Sequence, residues 1–284
     1  MSARNTSPKA PPIKVAHLFR PLDEALMELL ASLNDDDWQK PTPAKYWKVK
    51  DVAAHLLDGN LRTLSIQRDG YFGEAPPPIK AYEDLVGWLN QLNADWVKAS
   101  KRLSPNVLRI LHRATGPLTS AYYESLPLWD EAIFAVDWAG ESKSYNWMHL
   151  AREYTEKWHH QQQIREAVGQ PGIMTRAFFF PMIATYFMAL PHTFRNIAAP
   201  EETLVTATVS GQVGGAWHLE RQNANWALVD KPDRASDAAV EIAPELAWKL
   251  FSKNIRPDDV KHQLKVEGDK LLAAQVLQMV SVMA

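Results

Sequence analysis

The segment Glu156-Lys-Trp-His-His160 places a carboxylate and an imidazole four residues apart. On an α-helix four residues advance one turn plus about 40°, so both side chains project to one side and can close on a single cation. A further donor of the right type, His55, stands far upstream. Two imidazoles and a carboxylate around an open position form the donor set of catalytic zinc and of non-haem iron centres. The spacing alone is also that of an ordinary solvated helix pair. His149 with Glu153 repeats it, and on a helix from Trp147 to Val168 the four residues His149, Glu153, Glu156 and His160 share an arc of about 60°. His159 points about 100° away from His160. Burying such a row without partners costs several kcal/mol, which a divalent cation would offset; facing water, its ion pairs contribute only tenths. The spacing therefore leaves both the burial of the row and the choice of ligands open.

His55 lies in Asp51-Val-Ala-Ala-His55-Leu-Leu-Asp58, and its apolar neighbours equally suit a core histidine satisfied by a hydrogen bond. Asp58, one turn on, is placed to hold the second ring nitrogen. The elements that must carry these residues are helical. Val15, Leu18, Phe19, Leu22, Leu26, Leu29, Leu30 and Leu33 recur at helical spacing and predict a first helix ending near Asn34. Asp35 to Tyr46 reads as a loop, with Asp51 as N-cap of a second helix reaching about Arg68. A third helix is expected over Tyr82 to Leu103 and a fourth from Ser104-Pro105, interrupted or ended at Pro117. The long helix Trp147 to Val168 stops at Gly169, and an apolar helix spans Ala177 to Ile197. Beyond Pro200 the texture becomes β-branched. Strands are expected at Thr203–Val209, Trp217–Glu220, Trp226–Val229 and Ala238–Ile242, with helices at Glu245–Phe251 and Lys270–Val280.

The whole chain narrows the chemistry. Its 284 residues suit one large core or two smaller ones, and a net charge of -2 without a basic run offers no footprint for nucleic acid or an acidic membrane. A small-molecule partner is expected. With no cysteine, thiolate ligands and a cysteine nucleophile are excluded, so any thiol must come from outside. Residues 1–13 read as a disordered polar tail without the apolar core of a signal, no apolar run looks long enough to cross a bilayer, and a cytoplasmic protein is expected.

Trp38, Pro41-Thr42, Trp47 and Asp51-Val-Ala-Ala-His55-Leu56 resemble the opening motif of the mycothiol-dependent maleylpyruvate isomerase family, within the DinB-like bundles. Val136-Asp-Trp-Ala-Gly140 and Glu156–Gly169 resemble that family's tryptophan-glycine segment and its Glu-x-x-x-His helix. The resemblance covers residues 14 to 170, and the region from 200 is similar to a sterol-carrier-like domain. It implies an α+β protein: a disordered tail over 1–13, a DinB-like four-helix bundle over 14–199 and a small sterol-carrier-like α+β domain over 200–284. It implies a metal triad of His55, Glu156 and His160, and so decides against His149 and His159. Gln163 departs from the pattern, since many members carry an aspartate there. The family's catalytic arginine is not carried over; Arg62, Arg165 and Arg195 are candidates only.

The implied cofactors are a divalent metal, Zn²⁺ first with Fe²⁺ and Ni²⁺ as alternatives, and a low-molecular-weight thiol such as mycothiol. The implied activity is isomerisation or S-transfer on a small electrophile, and a homodimer is compatible with it. Two other readings stand beside this one: a non-catalytic binder of a hydrophobic ligand through the C-terminal domain, and a metal-dependent hydrolase.

Overall fold

A computed structural model describes residues 12–281. The tail expected over 1–13 lies, except for its last two positions, outside them. Helix α1 (Phe19–Ser32) buries Phe19, Leu22, Leu26, Leu29 and Leu30, the stripe its spacing predicts. α2 (Val49–Arg62) is capped by the Asp51 carboxylate, which sits at its third position and accepts the Lys48 N–H at 3.1 Å, so Lys48 and not Asp51 is the N-cap. It passes at Arg62 into a π-helical turn, Thr63–Arg68. α3 (Tyr82–Ser100) lies along α2, tied by the Trp96 indole N–H to the Ala54 carbonyl at 2.7 Å. α4 (Pro105–Ser125) starts on the Ser104 hydroxyl and, against expectation, runs on through Pro117. Proline removes one backbone bond, and here six side chains buried along the helix, from Leu108 to Tyr123, hold it in place. α5 (Asn146–Val168) closes on Gly169 in a left-handed conformation, φ 68°. Helices α1, α2, α4 and α5 pack into the bundle, as their mutual contacts show.

The single apolar helix expected over 177–197 is broken at Met188–Ala189 into α6 (Arg176–Phe187) and α7 (Leu190–Phe194). Together Arg176–Phe194 is long and apolar enough by length and composition to cross a membrane, contrary to the sequence reading, yet half of it is buried inside the protein. Five strands follow where four were expected: β1 (Leu204–Val209), β2 (Gly215–Gln222), β3 (Asn225–Val229), β4 (Ala238–Ile242) and the exposed β5 (Lys265–Gly268). Their order is β3-β2-β1-β4-β5, with β1 and β4 parallel and every other pair antiparallel. The tight β2–β3 turn uses Asn223 and Ala224 at positive φ, the conformation that two-residue hairpins require. α8 (Pro244–Phe251), the short α9 (Pro257–Val260) and α10 (Lys270–Val276) complete the α+β half.

One apolar cluster runs from Phe19 and Tyr154 in the bundle through Phe179 and Phe187 to Val205, Trp248 and Val276 beside the sheet. α6 is the layer between: Phe179 meets Trp158 of α5 at 5.6 Å, and Phe187 stacks on Trp217 of β2 at 4.0 Å. A second cluster, with Leu26, Leu30, Trp38, Val52, Leu56 and Ile164, fills the end of the bundle that carries His55.

Candidate metal centre

The antiparallel packing of α2 against α5 brings His55, Glu156 and His160 together, with one ligand atom of each within 4.8 Å of the others. The His55 and His160 rings lie 4.6 Å apart at 79°, edge to face. His160 Nε2 is 3.4 Å from a Glu156 oxygen, whose side chain keeps 40 % of its surface open to solvent. The Trp47 ring covers the pair from the loop before α2, 4.9 Å from His55 and 6.3 Å from His160.

His55 is enclosed so that its Nδ1 is buried without a hydrogen-bond partner. Burial, followed by the neighbouring His160, Arg62 and His159, holds its imidazolium pKa well below the ordinary histidine value. The ring is therefore neutral at pH 7, the protonation state a metal ligand needs. Asp58 does not hold it: that carboxylate turns to Arg62 at 2.9 Å, and Arg62 also reaches the Asn93 amide oxygen at 3.2 Å. His160 is supported through its other nitrogen, Nδ1, which lies 2.9 Å from Gln163 Oε1. An orphaned imidazole nitrogen, a second imidazole held from behind and an adjacent open carboxylate fit a divalent cation.

The row on α5 does turn inward, but its upper half serves another purpose. His149 Nε2 meets Gln67 Oε1 at 2.8 Å and its Nδ1 receives Arg152 at 2.9 Å, while Glu153 is paired with Arg152 and accepts the Tyr123 hydroxyl at 3.1 Å. Burial lowers the His149 pKa to about 4. Burial alone would raise the Glu153 carboxyl; Arg152, His149, the Tyr123 hydroxyl and Arg62 outweigh it and hold the group low. The π-helical turn is what places Gln67 over His149 and Thr63 on Tyr123, at 2.8 Å. His159 points aside, its Nε2 receiving Gln163 Nε2 at 2.8 Å and its Nδ1 facing the Tyr186 hydroxyl at 3.4 Å. Of the other arginine candidates, Arg165 donates to the carbonyls of Ala25, Gln170 and Pro171, and Arg195 to that of His192.

Three residues that make buried or partly buried hydrogen bonds around the site escaped the sequence reading. His112 of α4 clamps the Ala53 carbonyl at 2.8 Å, two residues before His55. Asn254, after α8, bonds the Gln163 amide at 3.3 Å. Lys157 inserts its ammonium between Asp23 and Asn60, 2.7 Å from each. Only Lys157 left a trace, as a cation flanked by apolar and metal-type residues on a half-buried helix.

The description of the mycothiol maleylpyruvate isomerase N-terminal domain matches residues 19–165. The chain belongs to that family. Among solved structures, the mycothiol-dependent maleylpyruvate isomerase superposes with a TM-score of 0.52 at 12 % identity, covering 87 % of this chain and 90 % of that one. A single-site variant of that enzyme gives the same score at 11 % identity and the same coverage. At such identities the likeness carries the fold of the maleylpyruvate isomerase family across both halves of the chain. A sterol carrier protein 2-like 2 from Aedes aegypti matches over 34 % of this chain and 95 % of its own, at 14 % identity and a TM-score of 0.27. No curated protein matches the chain.

Proposed function

We propose that the protein is a metal-dependent enzyme that uses a low-molecular-weight thiol to isomerise, or transfer sulfur to, a small electrophile. The carrying observation is the convergence of His55, Glu156 and His160, with His55 Nδ1 orphaned, in a chain of the maleylpyruvate isomerase family. His55, Glu156 and His160 would hold the ion, Zn²⁺ first among candidates. When bound, a divalent cation supplies positive charge that favours thiolate over thiol at neutral pH.

The chain's own residues arrange the rest. Enclosure keeps His55 neutral, Gln163 orients His160, and Glu156 is the member of the triad most open to solvent. Trp47 shields the imidazoles from bulk water. Between the halves of the chain opens a cleft of about 740 Å³ whose wall includes Tyr82, Asp137, Trp138, His192, Arg195 and Lys253. The triad does not line it, but Lys253 adjoins Asn254, which contacts the support of His160. In the isomerisation the thiol sulfur adds to the activated cis double bond, the resulting single bond rotates, and loss of the same thiol restores a trans double bond.

A hydrophobic-ligand function draws less support. The apolar side of the sheet is filled by the chain itself, with Phe187 against Trp217 and Phe194 against Trp226. The test is elemental analysis of untagged protein, followed by turnover of maleylpyruvate with mycothiol. About one divalent ion per chain, lost together with thiol-dependent turnover in a His55→Ala, His160→Ala form, is expected. Protein without metal that nonetheless isomerises with the thiol would overturn the proposal, and metal-dependent hydrolysis without any thiol would replace it with a hydrolase.

A further inference from the structure

We infer that the C-terminal half of the chain sets the tautomer of His160, through a directional hydrogen-bond relay that makes Asn254 and Gln163 positioning residues for the metal centre. Its use rests on the metal-site reading above; its existence does not.

The relay begins at the Trp248 carbonyl in α8, which can only accept. The Ser252 hydroxyl donates to it at 2.7 Å. With its proton committed, that oxygen accepts from the Asn254 amide nitrogen at 2.6 Å. Asn254 must then present Oδ1 outward, and it accepts from Gln163 Nε2 at 3.3 Å. Gln163 must in turn present Oε1, which lies 2.9 Å from His160 Nδ1. An amide oxygen cannot donate, so the proton of a neutral His160 ring sits on Nδ1, and the lone pair falls on Nε2, the nitrogen that faces Glu156. The remaining Gln163 proton goes to His159 Nε2 at 2.8 Å, which resists rotation of the amide. Each link leaves the next one orientation.

The backbone is shaped for this purpose. Lys253 adopts a left-handed φ of 61° immediately before Asn254, a conformation uncommon outside glycine, and the Asn254 N–H closes the turn on the Lys249 carbonyl at 2.9 Å. The Lys249–Glu166 ion pair, 2.6 Å, pins the same turn to α5 one turn beyond Gln163. An amide in place of a carboxylate behind a ligating imidazole orients the ring without adding negative charge, so orientation must be supplied by the amide's own partners. Here those partners are Asn254, Ser252 and the α8 backbone.

The test uses the full-length protein. Long-range proton–nitrogen correlation of the metal-free form at pH 8, with His160→Gln to assign the ring, is expected to show the Nδ1–H tautomer in wild type and a mixture in Asn254→Ala. Zinc affinity by chelator competition is expected to fall roughly 10- to 100-fold in Gln163→Leu and several-fold in Asn254→Ala. Asn254→Asp, which still accepts from Gln163, is expected to restore both readouts, and the spectrum of cobalt-substituted protein to follow them. An Nε2–H tautomer in wild type, or a tautomer and affinity unchanged in Asn254→Ala, overturns the inference. Wild type that binds no metal yet shows the Nδ1–H tautomer, lost in Asn254→Ala, would uphold the relay and sink the metal reading instead.

Discussion

His112 offers a way to measure what burial of a histidine costs this fold. It is almost fully enclosed between α4 and α2, with Nε2 on the Ala53 carbonyl at 2.8 Å. Burial lowers its pKa to about 4, partly countered by that carbonyl, with Lys157 lowering it further and Asp23 raising it. In the unfolded chain the value returns to 6.5. Above about pH 6.5 both states are neutral and the native state keeps its full stability; as pH falls toward 4 the unfolded chain takes the proton first and stability is lost. At pH 5 the loss amounts to about 2 kcal/mol from this one group. For a chain of this length that is about 3 °C in Tm. His112→Gln retains a nitrogen donor at the position of Nε2 but cannot titrate. Denaturant unfolding of chelator-treated wild type and variant at pH 7.5 and pH 5 isolates the effect, because His55, His149 and His159 titrate equally in both. The wild type should lose about 2 kcal/mol more than the variant over this interval. A difference that stays constant within about 0.5 kcal/mol would refute the reasoning.

Metal added at about 100 times its Kd should stabilise wild type by about 2.7 kcal/mol. That corresponds to a Tm rise of about 4–5 °C, absent in His55→Ala and His160→Ala; an equal rise in those variants would place the ion elsewhere. Lys157→Met leaves the mostly buried Asp23 carboxylate facing Asn60 without its cation and should cost about 3–5 kcal/mol in denaturant unfolding. Adding Asp23→Asn should recover much of that, and no recovery would mean that packing, not charge, holds the site. Gly140 has φ 79° and a β-carbon there would overlap the His192 imidazole. Gly140→Ala should therefore cost about 1–3 kcal/mol, read as a fall in Tm, and an unchanged Tm would show that the cleft wall yields.

Much of this was legible because it depends on local periodicity. The stripe on α1 and the long helix ended by Gly169 follow from helical spacing and stop residues, and spacing also put the four polar residues of α5 in one row while leaving its burial open. What sets the two Glu–His pairs apart in the structure was not local. His149 and Glu153 are consumed by Gln67 and Tyr123, which arrive from other helices, and by Arg152 of α5 itself, and Gln67 reaches them only because α2 changes to a π-helical turn that no composition announces. Asp58 was expected behind His55 and goes to Arg62, because the i,i+4 partner on the same face competes better for it. Pro117 and β5 misled for a common reason: helix continuation through proline and pairing of an exposed four-residue strand are decided by neighbours, not by the segment itself. Asn254 carried no signal, its importance coming wholly from where the α8 turn delivers it.

α6 carries apolar residues on more than one side because it is shared: α5 takes one part of its surface and the sheet half takes another. Neither half can shed the other without stranding Phe179 or Phe187 in water, so heating should give one calorimetric peak, with metal added at α2 and α5 moving the melting of strands that never touch it. The same helix makes modular exchange difficult. A foreign sheet grafted after residue 200 would inherit a bundle that ends in an exposed greasy rod, and recombination within such a lineage has to carry 176–194 along with whatever it is meant to cover.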